Sequence, residues 1–480
     1  MNPFRNLAAV FLLILVSSFV SKEKKTAVSP YDPAHLFSVE ELQEDFRVLR
    51  HDIEKRQPNL YLYSSKTQMD AAFDSLYNAI DRPMNFYEFY AHITVIESFI
   101  KDGHNLIAPG EAAGKYNDRH AVYFPLHVSY INGRLYSDMN YTKDTTLYDG
   151  AQVLSINGKS ADDIHDFYTL RMVRDGYNQT LPDWIITVYF RGFYSFFTGF
   201  KETYTIDFAG RDGSPKKVSL PALPIDTILS AWRKKYPARI ASQRKRLGLH
   251  LRFDSIPGTA VLTVQSFDEN LLKKGYHQHF RRVMKKFFAQ IDSSKCETLV
   301  LDVRDNGGGD PALSAWLLQQ VMDQPFVYAE DCRRTRRIPV RARKERLTRC
   351  RMPGFGRGTF HPAKQAFRGK LIVLINGGSF SATGELASVL SRYKRAVFVG
   401  EETGGNNVIC GGTMFRHRAT LPHTRIVCLT GTEATVLRDL ATNTGHGTMP
   451  DWPVVNSIDD IVANRDAVME FALGLARQKQ

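Results

Sequence analysis

The sequence predicts an α+β multidomain protein with an α/β core, and three features of it point there. Helical periodicity runs through roughly the first hundred residues, short strands and turns follow to about residue 220, and buried strands then alternate with helices to the end. At 480 residues with 43% apolar side chains, the chain can bury a large core, and its length suits two to four domains. This composition excludes bulk disorder, collagen and a multi-span membrane protein.

The opening stretch MNPFRNLAAVFLLILVSSFVSKEKK pairs Arg5 with an apolar run from Leu7 to Val16 and the small residues Ser17 and Ser18. It is expected to be a signal peptide over residues 1–18, too short for a membrane span, and it implies an exported protein, periplasmic or extracellular. A helical region over residues 30–115 follows. Its first helix opens at Ser38 with Glu41 three residues on, a capping-box spacing, and carries Leu42, Phe46, Leu49 and Ile53 on one face. A second helix bears Met69, Phe73, Leu76 and Ile80. A third begins near Asn85, bears Phe89, Ile93, Ile96 and Ile100, and is expected to stop at Asp102-Gly103 because glycine readily forms a left-handed cap.

Residues 122–220 read as a separate β-rich module in which Ala151–Ile156 enters a tight turn at Asn157-Gly158 and Ala161–Arg171 forms a helix. Residues 240–480 read as the α/β core. Its buried strands are Ala260–Val264, Leu299–Val303, Leu371–Ile375 and Ala396–Val399, with helices over Phe280–Ile291, from Pro311, and after Ser381.

The net charge of +13 is concentrated. The stretch CRRTRRIPVRARKERLTRCR, residues 332–351, holds ten basic residues and one acidic residue, a local +9, and the basic insertion spans residues 332–358. Such a segment can contact a membrane surface. It lacks the aromatic interleaving of a nucleic-acid site, so no nucleic acid is expected. Of the five cysteines, Cys332 and Cys350 flank this segment and could bridge it, whereas no Cys/His spacing suggests a metal site.

In a parallel sheet, ligands gather at loops leaving the carboxyl ends of strands. Two such loops stand out. Asp305-Asn306-Gly307-Gly308-Gly309 follows a buried strand and can turn backbone N–H groups toward developing negative charge. Ser379 and Ser381 lie between a strand and a helix, where either could be a nucleophile or an ordinary N-cap, and the Ala382 amide could serve as an oxyanion donor. His104, just past a helix stop, is a candidate base.

Taken in order, DGH, LVLDVRDNGGG, FSATGELA, VFVGEETGG and GHGTMPDWPV resemble the motifs of the C-terminal processing (tail-specific) serine peptidases, in particular the tricorn-like and retinoid-binding-protein-like branch. The likeness runs from about Leu36 to the C-terminal helix. It implies a PDZ-like module over residues 122–220 that presents substrate C-termini, and a crotonase-like α/β peptidase core. It further implies Ser381 as nucleophile, His104 as base, and the amides of Gly308 and Ala382 as oxyanion donors. Protein or peptide substrates are expected, with no metal or organic cofactor. A Ser-Lys dyad is excluded at the matching position, where Asn406 stands. Gly103 and Thr444 occupy the places of the family's orienting serine and glutamate, which leaves Asp102, Glu402 and His446 as candidates for orienting His104. The competing expectation is a degenerate relative that binds peptides or apolar ligands without cleavage.

Overall fold

A computed structural model describes residues 31–335, 347–349, 358–412 and 418–478. The expected signal peptide, Cys350 and most of the basic insertion lie outside the described residues. The chain divides into two compact units: residues up to Val173 with Ile185–Lys235 and Thr413–Thr432, and Arg174–Trp184 with Tyr236–Gly412 and Glu433–Gln480. Among the described residues no helix is long and apolar enough to cross a membrane. Cys332 is disulfide-bonded, and Cys296, Cys410 and Cys428 form no disulfide.

The first unit opens with α1 (Val39–Arg56), α2 (Lys66–Asn78) and α3 (Phe86–Ile93), each started by a capping box at Ser38, Ser65 and Asn85 respectively. The predicted apolar stripe is the buried face: Leu42, Phe46, Leu49, Ile53, Met69 and Phe73 are all at most 1% exposed. The third helix differs from its prediction. It passes through a 3-10 turn at Thr94–Ile96 into a short helix, Glu97–Ile100, and the left-handed cap is Lys101, with φ 54° and ψ 39°, not Gly103. The Lys101 N–H bonds Glu97 O at 3.1 Å, so the chain has turned before the glycine is reached.

A sheet follows, built from β1 (Leu126–Ile131), β2 (Arg134–Asn140), β3 (Ala151–Ile156), β4 (Thr203–Ala209) and β5 (Pro215–Pro221), all antiparallel neighbours in that order. Asn157 and Gly158 turn with φ 51° and 79°, as the Asn-Gly pair predicts. α4 (Ala161–Thr169) forms where expected, capped by Ser160. Beyond that one expected helix, the stretch also holds α5 (Thr180–Thr198), a helix of 19 residues that the strand-and-turn reading does not anticipate, whose sequence from Ile185 onward belongs to this unit. Its aromatic and β-branched residues favour strands locally. They are helical here because Phe190 and Tyr194 stack against Tyr168 from α4 and Phe197 meets it edge-on, with Phe190 also meeting Phe124 at 5.3 Å.

The second unit is organised by a six-stranded sheet in the order β6 (Leu249–Phe253), β7 (Thr259–Val264), β8 (Thr298–Asp302), β9 (Lys370–Ile375), β10 (Val397–Gly400) and β11 (Trp452–Pro453). β6 is antiparallel and the rest are parallel. Alternate strand residues separate the two faces. Leu262, Leu301 and Val373 join α6 (Phe280–Ser293), α7 (Pro311–Val321) and α8 (Ala382–Arg392) in one core. Val261, Val300, Ile372 and Leu374 meet Val468 and Ala472 of α9 (Ala467–Arg477) in the other. Both faces are covered, which is why these strands read as continuous apolar runs.

Arg304 ties α9 to the sheet. Its side chain, 5% exposed, reaches Asp302 Oδ2 at 2.7 Å and Asp466 Oδ2 at 2.8 Å, and Asp466 is the N-cap of α9. Burial opposes ionisation of Asp466, but the Arg304 hydrogen bonds outweigh it and hold this carboxyl down at about 2. The sign follows: a depressed carboxyl stabilises the fold above its ordinary value near 3.8 and loses that contribution as pH falls toward about 2. Arg304→Leu strands the Asp302 charge and should cost about 3–5 kcal/mol in urea unfolding. It should also flatten the acid arm of the stability curve between those pH values.

Candidate active site

β8 and β9 are adjacent and parallel, with Asp302 level with Leu374. The two loops singled out in the sequence therefore leave the sheet side by side. Asp305 and Asn376 strap them together: Asp305 N–H donates to Asn376 Oδ1 at 2.9 Å, and Asn376 Nδ2 donates back to Asp305 Oδ1 at 2.7 Å. Trp184 Nε1 and Arg246 Nη2 donate to the two oxygens of the same carboxylate at 2.8 and 2.7 Å. Asn306, fully buried, donates to Val264 O at 2.9 Å, and its own carbonyl accepts the Phe380 N–H at 3.1 Å. In the sequence Asp305 and Asn306 read only as part of the glycine loop, and Asn376, Trp184 and Arg246 are not singled out; the signal available was three amide or carboxylate side chains beside glycines.

The loops separate the two serines chemically. Ser379 is fully buried, donates from Oγ to Val303 O at 2.9 Å and accepts the Asn376 N–H, so its hydroxyl staples the loop. Ser381 occupies the N-cap position of α8, yet its side chain makes no capping hydrogen bond. Its backbone has φ 54° and ψ −126°, a conformation that residues with a Cβ rarely adopt. Strain of this kind persists only where the surroundings enforce it, and it clusters at functional positions. Ala382, the next residue, carries the first N–H of the helix, where the backbone leaves donors without intrahelical partners and the partial charge is positive.

Gly308 lies against this turn. Its φ is 93°, and a Cβ added there would stand 2.7 Å from Ser381 Cβ and 2.8 Å from Ala382 N. The expected oxyanion role meets a specific obstacle in this geometry, because the Gly308 N–H donates to Asn306 Oδ1 at 3.0 Å. Asn406 is 1% exposed and spends its Oδ1 on the backbone N–H groups of Val408 and Ile409, at 2.7 and 3.0 Å. The position of a would-be lysine thus holds a loop-forming side chain.

His104 belongs to the first unit and is 5% exposed. Asp102 Oδ1 accepts its backbone N–H at 2.8 Å and lies 3.8 Å from its Nδ1, while Asp102 Oδ2 accepts from Gln57 Nε2 at 2.8 Å. Burial lowers the His104 pKa, with the Asp102 charge acting in the opposite direction, so the neutral imidazole is favoured. Of the other two orienting candidates, Glu402 and His446 pair with each other in the second unit, Oε1 to Nδ1, at 3.2 Å.

Glu97 supports the His104 loop by accepting from Asn105 Nδ2 at 3.1 Å and from the Ile107 N–H at 2.9 Å. Burial drives its carboxyl up from 4.5 to about 8, with the Asp102 charge adding to the effect. A raised carboxyl stabilises the fold at low pH and loses that contribution as pH rises from about 4.5 through about 8. Urea midpoints measured across this window should therefore decline, and Glu97→Gln should remove most of the slope.

Comparison with known proteins adds a family. Residues 258–454 match Peptidase family S41. A tail-specific protease of Haemophilus influenzae is 27% identical over 165 residues, and that alignment covers 33% of this chain but only 19% of the relative. The structure of mature CPAF complexed with lactacystin superposes with a TM-score of 0.66 at 14% identity, covering 92% of this chain and 98% of that one. Mature CPAF alone gives a TM-score of 0.63 at 15% identity, covering 92% and 97%. These structures support the fold. The stretch that matches peptidase family S41 contains both loops and β7–β10.

Proposed function

We propose that the protein is an exported serine endopeptidase of the C-terminal processing type. The observation that carries this reading is Ser381: a hydroxyl at a helix N-terminus, on a strained backbone, making no capping bond and standing against a glycine loop. His104 takes the Ser381 proton as Oγ attacks a peptide carbonyl, then delivers it to the leaving amine, and water releases the acyl-enzyme. The Ala382 N–H stabilises the oxyanion. Gly308 is the second donor once its N–H exchanges Asn306 Oδ1 for the substrate oxygen. The stretch over residues 122–220 would present the substrate's C-terminal end, and the leader over residues 1–18 would direct export.

Three outcomes are expected. A fluorophosphonate probe should label the wild-type protein and fail on Ser381→Ala, whose peptide hydrolysis should fall by ten-thousand-fold or more on the scale of lost nucleophiles. His104→Ala should fall comparably, and peptide cleavage near the wild-type rate in that variant would remove His104 as the base. The acid limb of kcat/KM should lie below 6.5, because burial keeps His104 neutral to lower pH than an exposed histidine.

Gly308→Ala offers a geometric check. Its added Cβ collides with the Ser381 turn, so the acylation rate should drop by about a hundredfold or more, as when one oxyanion donor is lost.

A further inference from the structure

One turn into α8, Glu385 is buried at 3% exposure, and its N–H bonds Ser381 O at 2.9 Å. A carboxyl there costs stability unless it is matched by donors. It has them: Tyr328 Oη donates to Glu385 Oε2 at 2.6 Å, and the Cys410 and Thr435 side chains also hydrogen-bond to it. Tyr328 Oη in turn lies 3.2 Å from Ser314 Oγ, which is fully buried on α7. α7 begins at Pro311, two residues past the glycine loop, and α8 begins at Ala382. The hydroxyl of Tyr328 thus bridges the two helices that emerge from the two loops of the candidate site.

We propose that Glu385 is a positioning residue which, through Tyr328 and Ser314, clamps α8 and its N-terminal Ser381–Ala382 turn to α7 and the glycine loop. The inference deepens the hydrolase reading of Ser381 and rests on it for its catalytic consequence. Packing alone would be served by an apolar side chain at this position. A carboxyl with directional donors instead fixes the rotation of α8, and that rotation sets where the Ala382 N–H points. Glu385 also lies in the first helical turn, where negative charge is favoured.

The test compares Tyr328→Phe, which keeps the ring and removes only the hydroxyl, with Glu385→Gln, whose amide oxygen still accepts from Tyr328. Amide hydrogen exchange in peptides covering residues 304–312 and 379–386 should rise about threefold or more in Tyr328→Phe, and less in Glu385→Gln. kcat should fall by on the order of tenfold in Tyr328→Phe with KM within about twofold, because a displaced donor harms the transition state more than binding. Unchanged exchange in both peptides, with only a lower melting temperature, overturns the clamp and leaves a purely structural contact. Faster exchange in a protein whose wild type neither labels nor cleaves upholds the clamp and overturns the hydrolase reading instead. Should Tyr328→Phe fail to fold, Glu385→Gln and Ser314→Ala carry the same exchange measurement.

Discussion

The close approach of Gly308 to Ser381 is the constraint on which the second unit's chemistry depends. It exists because β8 and β9 are adjacent, parallel and in register, so their carboxyl-end loops must share the same space. Only a residue without a Cβ fits there, and only with a positive φ does the loop turn away toward α7. The Ser381 turn is strained in complement, with φ also positive. Neither conformation has a local reason to persist. Each is held by the other loop and by the sheet beneath.

That enforcement is made of paired polar groups. Irregular backbone has no repeating ladder, so each buried N–H and C=O needs an individual partner. Asn306, Asn376, Asp305 and Ser379 supply them, each bonding to a loop or strand other than its own local turn. The same logic extends to charge. Arg304 is matched by Asp302 and Asp466, and Glu385 by Tyr328, Cys410 and Thr435. Such arrangements are stable while complete and damaging when one member is removed, which makes them suited to holding a geometry.

The Gly308 N–H is already bonded to Asn306 Oδ1. The oxyanion role proposed for it requires that bond to be exchanged, one hydrogen bond for another. Asn406 marks a second difference, from a lysine-dependent mechanism: its side chain is absorbed in shaping the loop before Ile409–Gly412. Burial keeps the His104 imidazole neutral, the form that the base proposed above requires.

Much of the fold was legible in the order of residues, because apolar periods of 3.6 and 2 follow directly from helix and strand geometry. The helices starting at Ser38 and near Asn85 and the buried strands of the core follow from that reading, the Asn-Gly turn and the two glycine-bearing loops from their turn residues, and the order of the motifs from the family resemblance. What it could not supply depended on partners distant in the chain. α5 is a helix because its aromatic residues found an aromatic core; the helical run before His104 ends at Lys101 because the chain turned early. Ser379 staples its loop because its hydroxyl meets Val303 and Asn376, whereas Ser381 makes no capping bond to its helix. Local pattern determines which elements form, whereas tertiary packing decides which polar groups remain available for chemistry, since a side chain's hydrogen bonds are allotted only once its neighbours have arrived.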